Sequence, residues 1–95
     1  MSTLHIVSSS PFSDDRLASC LRLLGQGDAL LLCGDATYAL RTPDALAALT
    51  SDIELFALDE DLQARNLTTQ ERAMPIDYPA FVTLSCRFDK VNSWL

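Results

Sequence analysis

Apolar residues alternate with short polar breaks along the chain, and their spacing changes from one segment to the next. Thr3 to Val7 (TLHIV) is a short apolar run rich in β-branched residues, and it ends at Ser8-Ser9-Ser10-Pro11, a turn-forming cluster. That pattern predicts a first strand. Ser13, followed by Asp14 and Asp15, has the form of an N-cap with acidic residues in the first turn, after which Leu17, Cys20, Leu21 and Leu24 recur at i, i+3, i+4 and i+7. The spacing predicts an amphipathic helix, ended by Gly25 and Gly27. Ala29 to Cys33 (ALLLC) is uninterrupted by polar residues, the signature of a strand buried on both faces of a parallel sheet.

A helical stretch is expected next, broken near Thr42-Pro43, where Thr42 can cap and Pro43 can take the first helical position. Ile53 to Leu58 (IELFAL) predicts the third strand, and Glu60 to Arg65 a short helix that Asn66 can stop, since asparagine tolerates the left-handed conformation. Met74 to Ile76 predicts a brief fourth strand, Asp77 the cap of a helix carrying Phe81, Val82, Leu84 and Cys86, and Lys90 to Leu95 a last strand. Strand and helix thus alternate from end to end. The expected fold is a small α/β domain, a mostly parallel sheet with helices on both faces, and residues 1–95 form a single domain.

Composition adds that 48% of residues are hydrophobic. A domain of this size buries only about 60 to 65% of the surface its unfolded chain exposes, so part of that apolar area is expected to face a partner. Thirteen acidic residues against seven basic ones give a net charge of −6. With no basic cluster to displace counterions, direct nucleic-acid binding is not expected. Met1 to Ser10 contain no Lys or Arg and no apolar run of signal-peptide length, and no stretch reaches the roughly 20 residues of a membrane helix. A cytoplasmic protein without membrane contact is expected. The cysteines, Cys20, Cys33 and Cys86, are odd in number and far apart, which suits free thiols in a reducing compartment.

Several segments carry a resemblance when taken in order: Leu4-His5 and Ser10-Pro11-Phe12, then Cys20-Leu21-Arg22-Leu23-Leu24, then Gly27-Asp28-Ala29-Leu30-Leu31-Leu32. Leu58 to Arg65 (LDEDLQAR), Ile76-Asp77-Tyr78 with Phe81-Val82, and Trp94-Leu95 continue it. Together they resemble the TusB/DsrH family over essentially the whole chain. Asn66 stands where relatives often carry Gly, and Ala36 follows Asp35 where many have Gly. The resemblance implies a DsrE-like fold and a heterohexamer built with TusC-like and TusD-like sister subunits. That complex passes persulfide sulfur through carrier proteins toward 2-thiolation of the tRNA wobble uridine. For DsrH-type members the corresponding complex serves dissimilatory sulfur oxidation. The resemblance also implies that the main relay cysteine lies on the TusD/DsrE-type subunit, and that DsrH-type members have a cysteine at the place matching Cys20.

Cys20 therefore has two readings. A persulfide carrier needs a thiolate and access for a partner's cysteine, and the resemblance makes Cys20 the candidate persulfide carrier. Its helical periodicity with Leu17, Leu21 and Leu24 makes it a small buried hydrophobe. Cys33 ends a central strand, where open α/β sheets bind ligands, but its neighbours in sequence, Gly34 and Asp35, offer no cation. Cys86 has Arg87 beside it and reads as packing. His5, the one histidine, lies inside a strand and reads as a packed or hydrogen-bonded residue. With no second histidine and no ligand spacing, neither a metal site nor a cofactor is expected. Ser8 to Ser10 could line a crevice but have no phosphate-cradle glycines, which leaves a nucleotide-binding domain the weakest reading. Asp59, Glu60 and Asp61 read as a solvated helix start. The expected role is a scaffold or sulfur-carrier subunit rather than an enzyme, with an interaction module free of thiol chemistry as the alternative.

Overall fold

The structure is a computed structural model that describes residues 2–11, 15–41, 46, 49, 53–67 and 73–94. Its strands are β1 (Thr3–Val7), β2 (Ala29–Leu32), β3 (Glu54–Leu58), β4 (Ala73–Ile76) and β5 (Lys90–Trp94), and its α-helices are α1 (Arg16–Leu23), α2 (Asp59–Ala64) and α3 (Tyr78–Arg87). A 3-10 helix, η1 (Gly34–Arg41), follows β2. The strands form one sheet in the order β4-β3-β2-β1-β5, and every pairing is parallel.

Chirality decides where the helices lie. From β1 to β4 the chain steps in one direction across the sheet, so right-handed crossovers put all three connections on one face; the return from β4 to β5 runs the other way and puts its helix on the opposite face. Leu17 and Cys20 of α1, Ala36, Ala39 and Leu40 of η1 and Leu62 of α2 accordingly pack with Val7, Leu30, Leu32, Leu55 and Ala57. On the other face α3 is the one helix among the described residues, with Leu84 packed on Leu4, Ile6, Leu31, Phe56 and Ile76. β2 is covered from both sides and all four of its residues are buried, as its unbroken apolar run predicts.

One helix cannot cover a five-stranded face. Met74 of β4 and Val91 of β5 flank α3 on that face, and Tyr78 and Val82 line the helix's outer surface; all four are exposed, Met74 by 60% and Val82 by 61%. Pro75 lies in β4, an edge strand, which is where a residue without an N–H is tolerated in a sheet.

Local signals were realised unevenly. Asn66 adopts φ 52°, the left-handed stop expected after α2. Asp77 caps α3 by accepting a hydrogen bond from the Ala80 N–H at 2.9 Å. The stretch after β2 is a 3-10 helix, and Thr37 Oγ1 donates to Gly34 O within its first turn at 2.7 Å. Gly34 has φ +53°, and a Cβ there would sit 3.2 Å from Ser8 O, so glycine is required both by the backbone turn and by the approach of the β1 and β2 exits. Asp15 precedes α1 without making a side-chain cap. The expected caps at Ser13 and Thr42, with Asp14, Pro43 and Leu95, lie outside the described residues.

Candidate functional site

Beneath α1 a partly buried polar chain links β5, β1 and the residue before β2. Trp94 of β5 donates its indole N–H to His5 Nδ1 at 3.0 Å, which makes Nδ1 the acceptor and leaves the ring proton on Nε2. Nε2 faces Asp28 Oδ2 at 3.4 Å. Asp28, immediately before β2, also accepts the Thr3 N–H at 2.9 Å and the Gly25 N–H at 2.9 Å. Burial pushes its carboxyl up, but the Gly25 and Thr3 N–H groups and His5 together outweigh that and hold it below the ordinary carboxylate range. His5 is thus a hydrogen-bonded packed residue, as its position within β1 predicts. In the sequence Asp28 appears only within the Gly27 to Leu32 segment that carries the resemblance; its place one residue before a buried parallel strand was the available signal.

The linkage sign follows from the depressed carboxyl. Its contribution to stability is complete above the ordinary aspartate value of 3.8 and is lost as pH falls through the lower folded value. Asp28→Asn is expected to cost about 1–2 kcal/mol at neutral pH, and its gap from the parent protein should narrow as pH falls below about 4. Urea denaturation across that range measures it; a gap that stays constant would show that the carboxylate's charge is not what stabilises.

Cys20 is fully buried in the core under α1. Burial, reinforced by the Asp28 charge, pushes its thiol up to about 12. The access and ionisation a sulfur carrier needs are both absent at Cys20 in this conformation, and the residue packs as a small hydrophobe beside Leu17.

Cys33, just past β2, is half-buried on the α3 side of the sheet, with its Sγ 3.7 Å from Val7 O. A cation does reach its neighbourhood, from α2 rather than from adjacent sequence. Arg65 pairs with Asp35 at 2.9 Å and with Asp61 at 3.6 Å, and its guanidinium lies 6.0 Å from the Tyr38 ring centre. Burial raises the Cys33 thiol first and Asp61 raises it further, and Arg65 opposes both without overcoming them. Asp61 also departs from the expected solvated helix start: its Oδ2 accepts the Gly34 N–H at 2.8 Å and clamps the β2 exit to α2. The i, i+4 spacing of Asp61 and Arg65 was the legible part of this cluster; its placement beside Cys33 depends on β3 pairing with β2.

Ligand crevices in open α/β sheets form where adjacent strands send their following segments to opposite faces. The segments after β1, β2 and β3 all go to the same face, and the divergence falls between β3 and β4. Cys33 does not stand at that divergence. Cys86 is exposed on α3, far along the chain from either. Among the described residues no three His, Cys, Asp or Glu side chains could hold a metal ion, and no described helix is long and apolar enough to cross a membrane.

These features define a small, all-parallel α/β protein with two of its three thiols sheltered by the fold. Residues 9–91 match the family described as DsrH like protein, and the chain belongs to that family. "Protein TusB" of Escherichia coli (strain SE11) is 41% identical over 95 residues, covering 96% of this chain and 99% of the relative. "Protein TusB" of Shigella boydii serotype 18 matches with the same identity and coverage. In shape, the crystal structure of the ychN protein from E. coli aligns with a TM-score of 0.76 over 98% of this chain and 99% of that one, at 20% identity, which establishes a shared fold.

Proposed function

We propose that this chain is a TusB-type subunit of a cytoplasmic sulfur relay leading to 2-thiolation of the tRNA wobble uridine, and that it serves the relay as a structural subunit. The carrying observation is 41% identity to Protein TusB across nearly the whole of both chains. A structural role is favoured by the thiols themselves. Cys20 is sealed in the core and Cys33 is half-buried, both with the thiol pushed up, which disfavours the ionised sulfur that transfer chemistry requires; Cys86, exposed on α3, has no partner group among the described residues that marks it for transfer. The Cys20 carrier reading then needs an opening of α1, and the relay sulfur is carried by the sister subunits.

Assembly is favoured by the thinly covered α3 face. Met74, Tyr78, Val82 and Val91 are large apolar side chains left in water there, and TusC-like and TusD-like subunits in a heterohexamer would cover them. A net charge of −6 leaves tRNA contact to other components.

Introducing this chain into a bacterium whose TusB gene has been deleted is expected to restore 2-thiouridine derivatives in digested tRNA, read by mass spectrometry. Co-purification with TusC-like and TusD-like subunits should give one complex by light scattering, and Cys20→Ala should leave thiolation near the parent level. Failure to restore thiolation despite co-purification, or a monomer that ignores both partners, would overturn the proposal; loss of thiolation in a folded, assembled Cys20→Ala protein would restore the carrier reading.

A further inference from the structure

The hydrogen-bonded chain from Trp94 to Asp28 contains a device that the relay role does not use. β5 is an edge strand paired only with β1, and its first four residues are exposed. Its last described residue, Trp94, is half-buried and packs against the core under α1. The indole therefore anchors the strand's far end, and it does so through one polar contact, the N–H donated to His5 Nδ1.

That contact depends on the protonation state of His5. A neutral imidazole with its proton on Nε2 accepts at Nδ1; an imidazolium carries protons on both nitrogens and accepts at neither. Protonation would set an N–H on Nδ1 against the indole N–H, two donors face to face. It would also strengthen the other side of the ring, where Asp28 Oδ2 lies 3.4 Å from Nε2, because a bond from a neutral donor to the Asp28 carboxylate becomes an ion pair. One proton thus shifts the grip of His5 from Trp94 to Asp28.

The surroundings hold few charges that compete. Asp28, before β2, faces the ring directly, and Cys20 of α1 is kept in the thiol form by burial and by the Asp28 charge. β5 contributes Asn92, paired with His5, and Lys90, paired with Thr3 on the same face; Lys90 is exposed. Among the described residues no buried side-chain nitrogen or oxygen lacks a hydrogen-bond partner, so a new N–H on Nδ1 would meet no unpartnered buried side-chain acceptor. Expulsion of the indole, with water taking its place, is the available relief.

We propose that Trp94, His5 and Asp28 form a proton-controlled latch on β5, in which neutral His5 holds the indole in place and protonated His5 releases it. The latch is independent of the relay role and acts on whichever surface the edge of β5 presents.

The sequence makes the test direct, because the protein has one histidine and one tryptophan. The His5 Cε1 proton and the Trp94 indole N–H are each a single nuclear magnetic resonance signal, and emission excited at wavelengths longer than tyrosine absorbs is that of Trp94 alone. As pH is lowered, the indole resonance and a red shift of the emission are expected to follow the His5 titration with one shared midpoint, before any loss of far-ultraviolet circular dichroism. His5→Gln, which can still accept from Trp94 and donate to Asp28, is expected to keep blue-shifted emission through the same pH range. Titration of His5 without movement of the indole signal would overturn the latch. So would the same red shift in His5→Gln, or a red shift that coincides with global unfolding.

Discussion

Leu31→Ala is expected to remove about 3 kcal/mol of stability, near the middle of the range for truncating a buried leucine. Leu31 is the central residue of a row that runs Ile6, Leu31, Phe56 across β1, β2 and β3, and it is 1% exposed beneath α3. No other helix stands on that face among the described residues, so α3 is the element that would have to settle into the cavity. Its N-terminus is fixed by the Asp77 cap, which limits collapse and keeps the cost above the low end of the range. Against a total of about 5–14 kcal/mol for a domain of this size, the loss corresponds to a fall in Tm of about 12–24 °C. Thermal denaturation followed by circular dichroism measures it. Val82→Ala, on the exposed side of α3, is the control and should change stability by no more than about 0.5 kcal/mol. A Tm for Leu31→Ala within about 3 °C of the parent would mean that α3 does not pack on the sheet as described.

Cys20 in the folded chain is expected to react with an alkylating reagent at least about a thousand times more slowly than it does in denaturant. Raising a thiol from 9.0 to about 12 lowers its thiolate fraction near neutral pH by about that factor, before the closed core adds its own barrier to the reagent. Variants retaining one cysteine each separate the three sites, and Cys86, exposed on α3, should label first. Replacement distinguishes the same residue from the folding side. Cys20→Ser should cost about 1–3 kcal/mol by burying a hydroxyl among Leu17, Val7 and their neighbours, and Cys20→Ala should cost less. Rapid alkylation of Cys20 in the folded chain, or stable loading of an extra sulfur atom there by a persulfide donor, would overturn the buried reading.

The elements that periodicity could identify were those whose pattern is set by one nearby surface. β2 reads as a doubly covered strand because every residue from Ala29 to Leu32 is buried, and Asn66 and Asp77 act locally, within a turn of their own helices. Cys20 fell on the apolar stripe of α1 and lies where that stripe points. The resemblance and the periodicity disagreed about its role because a family position says nothing of solvent access. What was not legible depends on strands distant in sequence coming together. The Asp61 and Arg65 pair lies beside Cys33 because β3 pairs with β2, and the Trp94 contact with His5 spans 89 positions. The 3-10 character of η1 was also hidden, since Ala36, Thr37, Ala39 and Leu40 would suit an α-helix equally well.

The pairing of β5 with β1 has a consequence for how the protein is made. β1 leaves the ribosome well before β5, yet its outer edge is completed by residues 90–94, 87 positions later, the separation that the hydrogen bond from Ser2 to Asp89 also spans. At elongation speeds of about 5–20 residues per second, that edge stays open for several seconds after β1 emerges. Its unpaired amides and the apolar run of Leu4, Ile6 and Val7 are what a neighbouring nascent chain or a chaperone would meet in that interval. A slower translation of residues 78–94 would lengthen the exposed period without altering a single contact of the finished fold, and aggregation during overexpression is expected to rise with it.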